Sequence, residues 1–150
     1  MDTSQLPQDQ YVNIGSVTTR YWTAGNSGSP LILVHGLGQF VETWMYNITA
    51  FAQHFKVYAL DLAGSGKSDK PDAPYTYRYF AQFLNDFMSA MNIPEAHLIG
   101  HSLGGAVSLR FTMDFPSKAN NLVLVGSESL GEHAAHLLRL LSLPLIGELL

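Results

Sequence analysis

Four short apolar runs punctuate the chain: LILVHG at 31–36, KVYALD at 56–61, HLIGHS at 97–102 and NLVLVG at 121–126. Each is near-continuous rather than alternating, the pattern of a strand buried on both faces. The stretches between them carry helical spacing. Trp44, Ile48, Phe51, Ala52 and Phe55 predict a helix over 41–55. Phe80, Phe83, Leu84, Phe87, Met88 and Met91 fall at i, i+3, i+4, i+7, i+8 and i+11, which predicts an amphipathic helix ended by Pro94. Residues 103–115 predict another, stopped by Pro116. Ahead of all these, 12–14 and 17–22 flank Gly15-Ser16 as an antiparallel hairpin. Strand and helix then alternate, so the expected fold is α/β: a mostly parallel sheet with helices on both faces and an N-terminal antiparallel hairpin. Met45, Met88, Met91 and Met113 read as core, as do the aromatics of 75–87.

Composition narrows the classes. The 150 residues suffice for one domain. Charged residues are 13%, about half the usual share of roughly 25%. Net charge is −4 and the eight Lys and Arg are scattered singly, which argues against nucleic acid as a partner. The absence of Cys excludes disulfide frameworks and thiolate metal sites. No His pair at i and i+4 suggests a metal. No apolar run reaches the roughly 20 residues of a membrane span, and residues 1–10 are too polar for a signal peptide. A cytoplasmic location is the default expectation. The stretch 137–150 is the greasiest in the chain, where a natural terminus is usually polar, so a truncated protein is expected.

In open parallel sheets chemistry gathers at the carboxyl ends of the strands. Three loops lie at such ends: 35–40, 61–72 and 101–105. The last holds Gly100-His101-Ser102-Leu103-Gly104, a G-x-S-x-G between a predicted strand and a predicted helix. A strand that reverses into a helix in almost no residues strains the central Ser. Side chains two positions away on either side collide with the turn, so Gly is required at 100 and 104. Gly105 adds room for the helix to pack on the sheet. The Ser102 hydroxyl is thereby held in the open at a helix N-terminus, which favours negative charge. Acyl transfer also needs two donors aimed at the developing oxyanion. One is the backbone N–H of Leu103. The other is that of Leu37, in His35-Gly36-Leu37-Gly38, where the glycines let the chain bend.

Together these residues resemble the N-terminal part of an α/β-hydrolase. The resemblance extends to Trp44, to Asp61-Leu62-Ala63-Gly64-Ser65-Gly66-Lys67-Ser68, to Asp69 and Pro71, and to the strand at 122–125. It implies residues 1–130 as part of the hydrolase core, C-terminally incomplete, and 131–150 as the start of a helical cap or lid. It implies Ser102 as nucleophile and the Leu37 and Leu103 amides as the oxyanion hole. Hydrolysis of a carboxylic ester, or a related carbonyl compound as small-molecule partner, follows, with no cofactor. A C–C bond hydrolase of diketone-type acids on the same machinery is the alternative, and a non-catalytic binding protein on the scaffold is another. Ser rather than Asp at the elbow speaks against epoxide or halide chemistry.

The family's triad runs Ser, then Asp or Glu, then His. After Ser102 the candidates are Asp114, Glu128, Glu132, Glu148, His133 and His136. Asp114 belongs near the far end of a helix, on the surface. Glu128 follows the last strand and is the acid candidate. His133 and His136 read as solvated helix face. The base is therefore expected beyond residue 150, and the 150-residue chain is expected to be inactive alone. Gly64-Ser65-Gly66-Lys67-Ser68 imitates a P-loop, but Asp61 stands where G-x-x-x-x-G-K-S needs Gly, and Pro71 and Pro74 block the helix that must follow. Asp61 and its glycines instead shape a tight loop beside the site. His35 holds its loop through the backbone, and His101 is structural, projecting away from the nucleophile. His54 is a surface residue and His97 has no evident partner. Phe40 is the aromatic expected to face substrate.

Overall fold

The structure, a computed structural model, describes residues 6–127. The 131–150 cap segment, Glu128, Glu132, Glu148, His133 and His136 lie outside the described residues. β1 (Gln10–Ile14) and β2 (Val17–Ala24) form the hairpin, with Ile14 opposite Val17. β3 (Pro30–Val34), β4 (Lys56–Leu60), β5 (Ala96–His101) and β6 (Ala119–Val125) complete a six-stranded sheet in the order β1-β2-β4-β3-β5-β6. β2 meets β4 antiparallel; β4, β3, β5 and β6 run parallel. The four apolar runs are these four parallel strands.

Alternation along each strand divides the core in two. Leu31, Leu33, Val57 and Ala59 face one side with Trp22, Val41, Trp44 and Ile48. Ile32, Val34, Tyr58, Leu60 and Leu98 face the other, under α2 (Tyr77–Ala90) and α3 (Leu103–Asp114). α2 is the amphipathic helix that the spacing predicts. Thr76 caps it by accepting from Tyr79 N–H, and Phe80, Phe83, Leu84, Phe87 and Met88 are its buried stripe.

Two expectations need correction. Residues 41–55 are not one helix but a 3₁₀ turn, Val41–Trp44, then the single-turn α1, Ile48–Phe51. The spacing correctly marks the inward residues Trp44 and Ile48, but the backbone is divided. Val41 N–H is taken by the Asp61 carboxylate, and i→i−3 bonds at Met45 and Asn47 tighten the chain. Met113 is not core: it is 60% exposed, because it sits two residues, about 200° of helix, from the buried Phe111. Met88 is fully buried, and Met45 and Met91 pack half-buried on the two cores.

The chain leaves β3 for β4 on one side, then returns to β5 on the other. Neighbours β3 and β5 therefore send their following loops apart, which opens a crevice outside their carboxyl ends. No helix among the described residues is long and apolar enough to cross a membrane. Phe87 is fully buried, with its ring edge-on to Tyr21 and Tyr58, so it ties α2 to β2 and β4. Phe87→Ala is expected to cost about 3–5 kcal/mol of stability, read as a lower urea midpoint in equilibrium unfolding.

Candidate active site

Ser102 lies at the crevice, between β5 and α3, with φ +50° and ψ −118°. A non-glycine residue pays for that conformation, and the surroundings enforce it. Ser102 N–H is held by the Val125 carbonyl at 3.0 Å, while its own carbonyl accepts from Gly105 N–H at 2.9 Å. The glycines are required by close approach. A Cβ at Gly100 would run into the backbone of Gly104 and Gly105, and one at Gly104 into the Val34 and His35 carbonyls. At Gly105 it would strike Ser127.

The Leu103 amide is the first of α3, one of the donors a helix leaves unpaired at its start. The Leu37 amide lies in the turn that follows β3. Neither has an acceptor among the described residues. Both Leu37 and Phe40 have exposed side chains, at 39% and 43%, beside this turn. The turn approaches Ser102 closely: a Cβ at Gly36 would sit 3.2 Å from Ser102 Cβ.

The turn is anchored at both ends to the loop after β4. His35 is fully buried; its Nε2 accepts from Leu62 N–H at 3.0 Å, so its Nδ1 carries the proton and donates to the Gly36 carbonyl at 2.8 Å. Asp61, also fully buried, accepts from Val41 N–H at 2.7 Å and from Lys67 N–H at 2.9 Å. A Cβ at Gly66 would overlap the Asp61 carboxylate, so the glycine there is part of the carboxylate's cradle. His35 and Asp61 thus join the segment 35–41 to the loop after β4.

His101 turns toward this loop, with Nδ1 2.9 Å from Gln39 Oε1. His54 is exposed. His97, expected to lack a partner, packs edge-on to Phe55 and lies 3.0 Å from Asn121 Nδ2. Asp114 is bound by the Arg110 fork at 2.7 and 2.8 Å, at the opposite end of α3 from Ser102. Among the described residues there is no group of three or more His, Asp or Glu arranged to hold a metal.

Sequence reasoning missed two contributors. Gln39 is one. The other is Arg20, whose side chain is 3% exposed in β2 and is met by Asp9, Glu42 and Asp61. Its Nε–Asp9 bond is 2.7 Å, and Glu42 takes both terminal nitrogens at 2.6 and 3.0 Å. Burial alone would raise the Asp9 carboxyl, but hydrogen bonds from Lys67, Trp22 and Arg20 outweigh it and bring it down to about 2. The available signal was a lone Arg inside a strand with no acidic neighbour in sequence; its partners arrive from three other segments.

Burial pushes the His35 imidazole below its ordinary 6.5, against the opposing pull of the Gly36 carbonyl and Asp61. A protonated ring would set one N–H against the Leu62 N–H. Below pH 6.5 the unfolded chain binds the proton more readily than the native one, so native stability falls as pH falls from that point. Urea midpoints are expected to hold above pH 6.5 and to decline beneath it, in a range where His35→Gln shows no such decline.

A family model of the alpha/beta hydrolase fold matches residues 29–144. The 2-hydroxy-6-oxo-6-(2'-aminophenyl)hexa-2,4-dienoic acid hydrolase of Metapseudomonas resinovorans is 40% identical over 126 residues, 81% of this chain and 43% of that protein. A membrane phospholipase A superposes with a TM-score of 0.80 at 26% identity, over 82% of this chain and 40% of its own. The 2-hydroxy-6-oxo-6-phenylhexa-2,4-dienoate hydrolase from Rhodococcus sp. strain RHA1 gives 0.73 at 26%, over 81% and 46%. The chain thus spans less than half the length of each of these three proteins. With a six-stranded sheet, a strained Ser at the strand-to-helix elbow and a family match over most of its length, the chain belongs to the α/β-hydrolase fold family.

Proposed function

We propose that Ser102 is the nucleophile of a serine hydrolase that cleaves carboxylic esters, or related carbonyl compounds, with a small to medium apolar acyl group. The observation that carries this reading is the positive-φ serine at the start of α3, beside two amides that lack acceptors among the described residues. Ser102 Oγ attacks the carbonyl carbon, and the Leu37 and Leu103 amides take the charge that develops on its oxygen. The exposed Leu37 and Phe40 side chains receive the apolar acyl group. Collapse of the tetrahedral intermediate expels the alcohol, and water then clears the acyl-enzyme.

The proton from Ser102 requires a base. His35 has both nitrogens engaged, and His101 Nδ1 faces Gln39. The family's triad order, Ser, then acid, then His, supports a His and an orienting acid in chain beyond residue 150, with Glu128 as the one acid candidate within residues 1–150. Residues 1–150 are then the nucleophile-bearing part of a longer enzyme and turn over no substrate alone.

A second reading is hydrolysis of a C–C bond in a diketone-type acid. The 40% identity to a 2-hydroxy-6-oxo-hexadienoic acid hydrolase favours it. The same nucleophile and oxyanion donors serve, and only the leaving group changes.

A fluorophosphonate probe is expected to label the intact protein at Ser102, and Ser102→Ala to abolish labelling and lower kcat on the order of 10⁶-fold. Turnover of p-nitrophenyl esters against a 2-hydroxy-6-oxo-dienoic acid separates the two substrate readings. Esterase turnover by residues 1–150 alone, lost in Ser102→Ala, would sink the assignment of the base to later chain.

A further inference from the structure

We propose that Gln39 is a positioning residue that sets the spacing of the two oxyanion donors, by bridging the 36–39 turn to His101 beside the nucleophile. This rests on the serine-hydrolase reading above and adds a residue on which its rate depends.

The two donors sit on separate segments, so something must fix their separation. The β3–β5 ladder reaches only as far as Val34 opposite Gly100, before either donor. Past that point the two anchors of the turn, Leu62 N–H on His35 and Val41 N–H on Asp61, both run to the loop after β4. They hold the turn on the side away from the elbow. Among the described residues, one side-chain hydrogen bond joins the turn to the elbow: Gln39 to His101, at 2.9 Å.

The chemistry of that bond is determined by its neighbour. Gln39 Oε1 already accepts from Gly36 N–H at 2.9 Å, so the oxygen is what faces His101. His101 must then carry its proton on Nδ1 and donate it. The turn is closed by Gln39 N–H on the Gly36 carbonyl at 3.2 Å, with Gly38 at φ +67°, the positive angle that a type II turn needs at its third position. Leu37 lies inside this ring: its N–H shares a peptide plane with the Gly36 carbonyl, which Gln39 N–H and His35 Nδ1 both hold, and the Gln39 side chain ties that unit to the elbow. Gly36 leaves the space for all of it: a Cβ there would sit 2.9 Å from Gln39 Oε1, 3.1 Å from His101 Nδ1 and 3.2 Å from Ser102 Cβ.

Breaking the bridge leaves Ser102, the Leu103 amide and Phe40, next to the Val41 anchor, in place while the Leu37 amide drifts. The loss therefore falls on the chemical step and not on substrate affinity. The test uses the intact protein, the rate of Ser102 phosphonylation by a fluorophosphonate, and kcat and KM for p-nitrophenyl butyrate. Gln39→Met keeps the shape and removes the acceptor; His101→Leu removes the donor; His101→Asn keeps a donor near the Nδ1 position. Gln39→Met and His101→Leu are each expected to slow phosphonylation and kcat about 10-fold, short of the 10²–10³ for losing a donor outright, with KM little changed. The double variant is expected to be no slower than either single one, and His101→Asn to stay near the parent. Multiplying effects, a change confined to KM, or His101→Asn as slow as His101→Leu would overturn the proposal. NMR of the His101 ring reports the bridge without any activity. A parent protein with the proton on Nε2 overturns the bridge itself, whereas labelling of a residue other than Ser102 overturns the serine reading and the spacing role with it.

Discussion

The close approach of α3's first turn to the end of β3 is the constraint on which the rest of the site depends. Gly104 lies so near the Val34 and His35 carbonyls that no side chain fits between them. That contact brings the Leu103 amide beside the turn after β3, and it forces Ser102 into its left-handed conformation. The strain persists because two glycines, a ladder bond to Val125 and the buried face of α3 all oppose its relaxation. A helix set farther from the sheet would relieve Ser102 and separate the two amides.

A second layer is electrostatic. Arg20 is buried and meets three carboxylates, and Asp61 among them also holds the Val41 and Lys67 amides. Ser68 Oγ accepts from Arg20 N–H and donates to the Asp61 carbonyl, so side chains and backbone of the same residues are joined twice. Removing one member of such a network leaves a charge buried without its partner, which costs more than the intact network contributes. The hairpin, the 3₁₀ turn and the loop after β4 are thereby fixed relative to one another. The 36–39 turn, and with it Leu37, is suspended between that network and the elbow.

Much of this was legible in the chain. The parallel strands showed as unbroken apolar runs because burial on both faces leaves no polar positions to alternate. The α2 stripe from Phe80 to Met88 showed because a single buried face repeats with the helical period. Gly100, Ser102 and Gly104 showed because the steric demand of the elbow is local, acting within five residues. Where partners came from far away, the reading failed. The helix expected over 41–55 is divided because the Val41 amide is claimed by Asp61, twenty residues on. Arg20 and Gln39 carried no sign of their partners, since Asp9, Glu42 and Asp61, and likewise His101, converge on them only in three dimensions.

The sequence by itself determined the α/β alternation, the buried strands and the serine at a strained turn, because hydrophobic period and local sterics are properties of neighbouring residues. The tertiary structure alone decided the strand order that opens the crevice between β3 and β5, the charge network around Arg20, and the meeting of the 36–39 turn with His101. Those depend on which segments the sheet sets side by side. A hydrogen bond spanning 62 positions in the chain leaves no periodic trace, since only the fold makes its two ends neighbours.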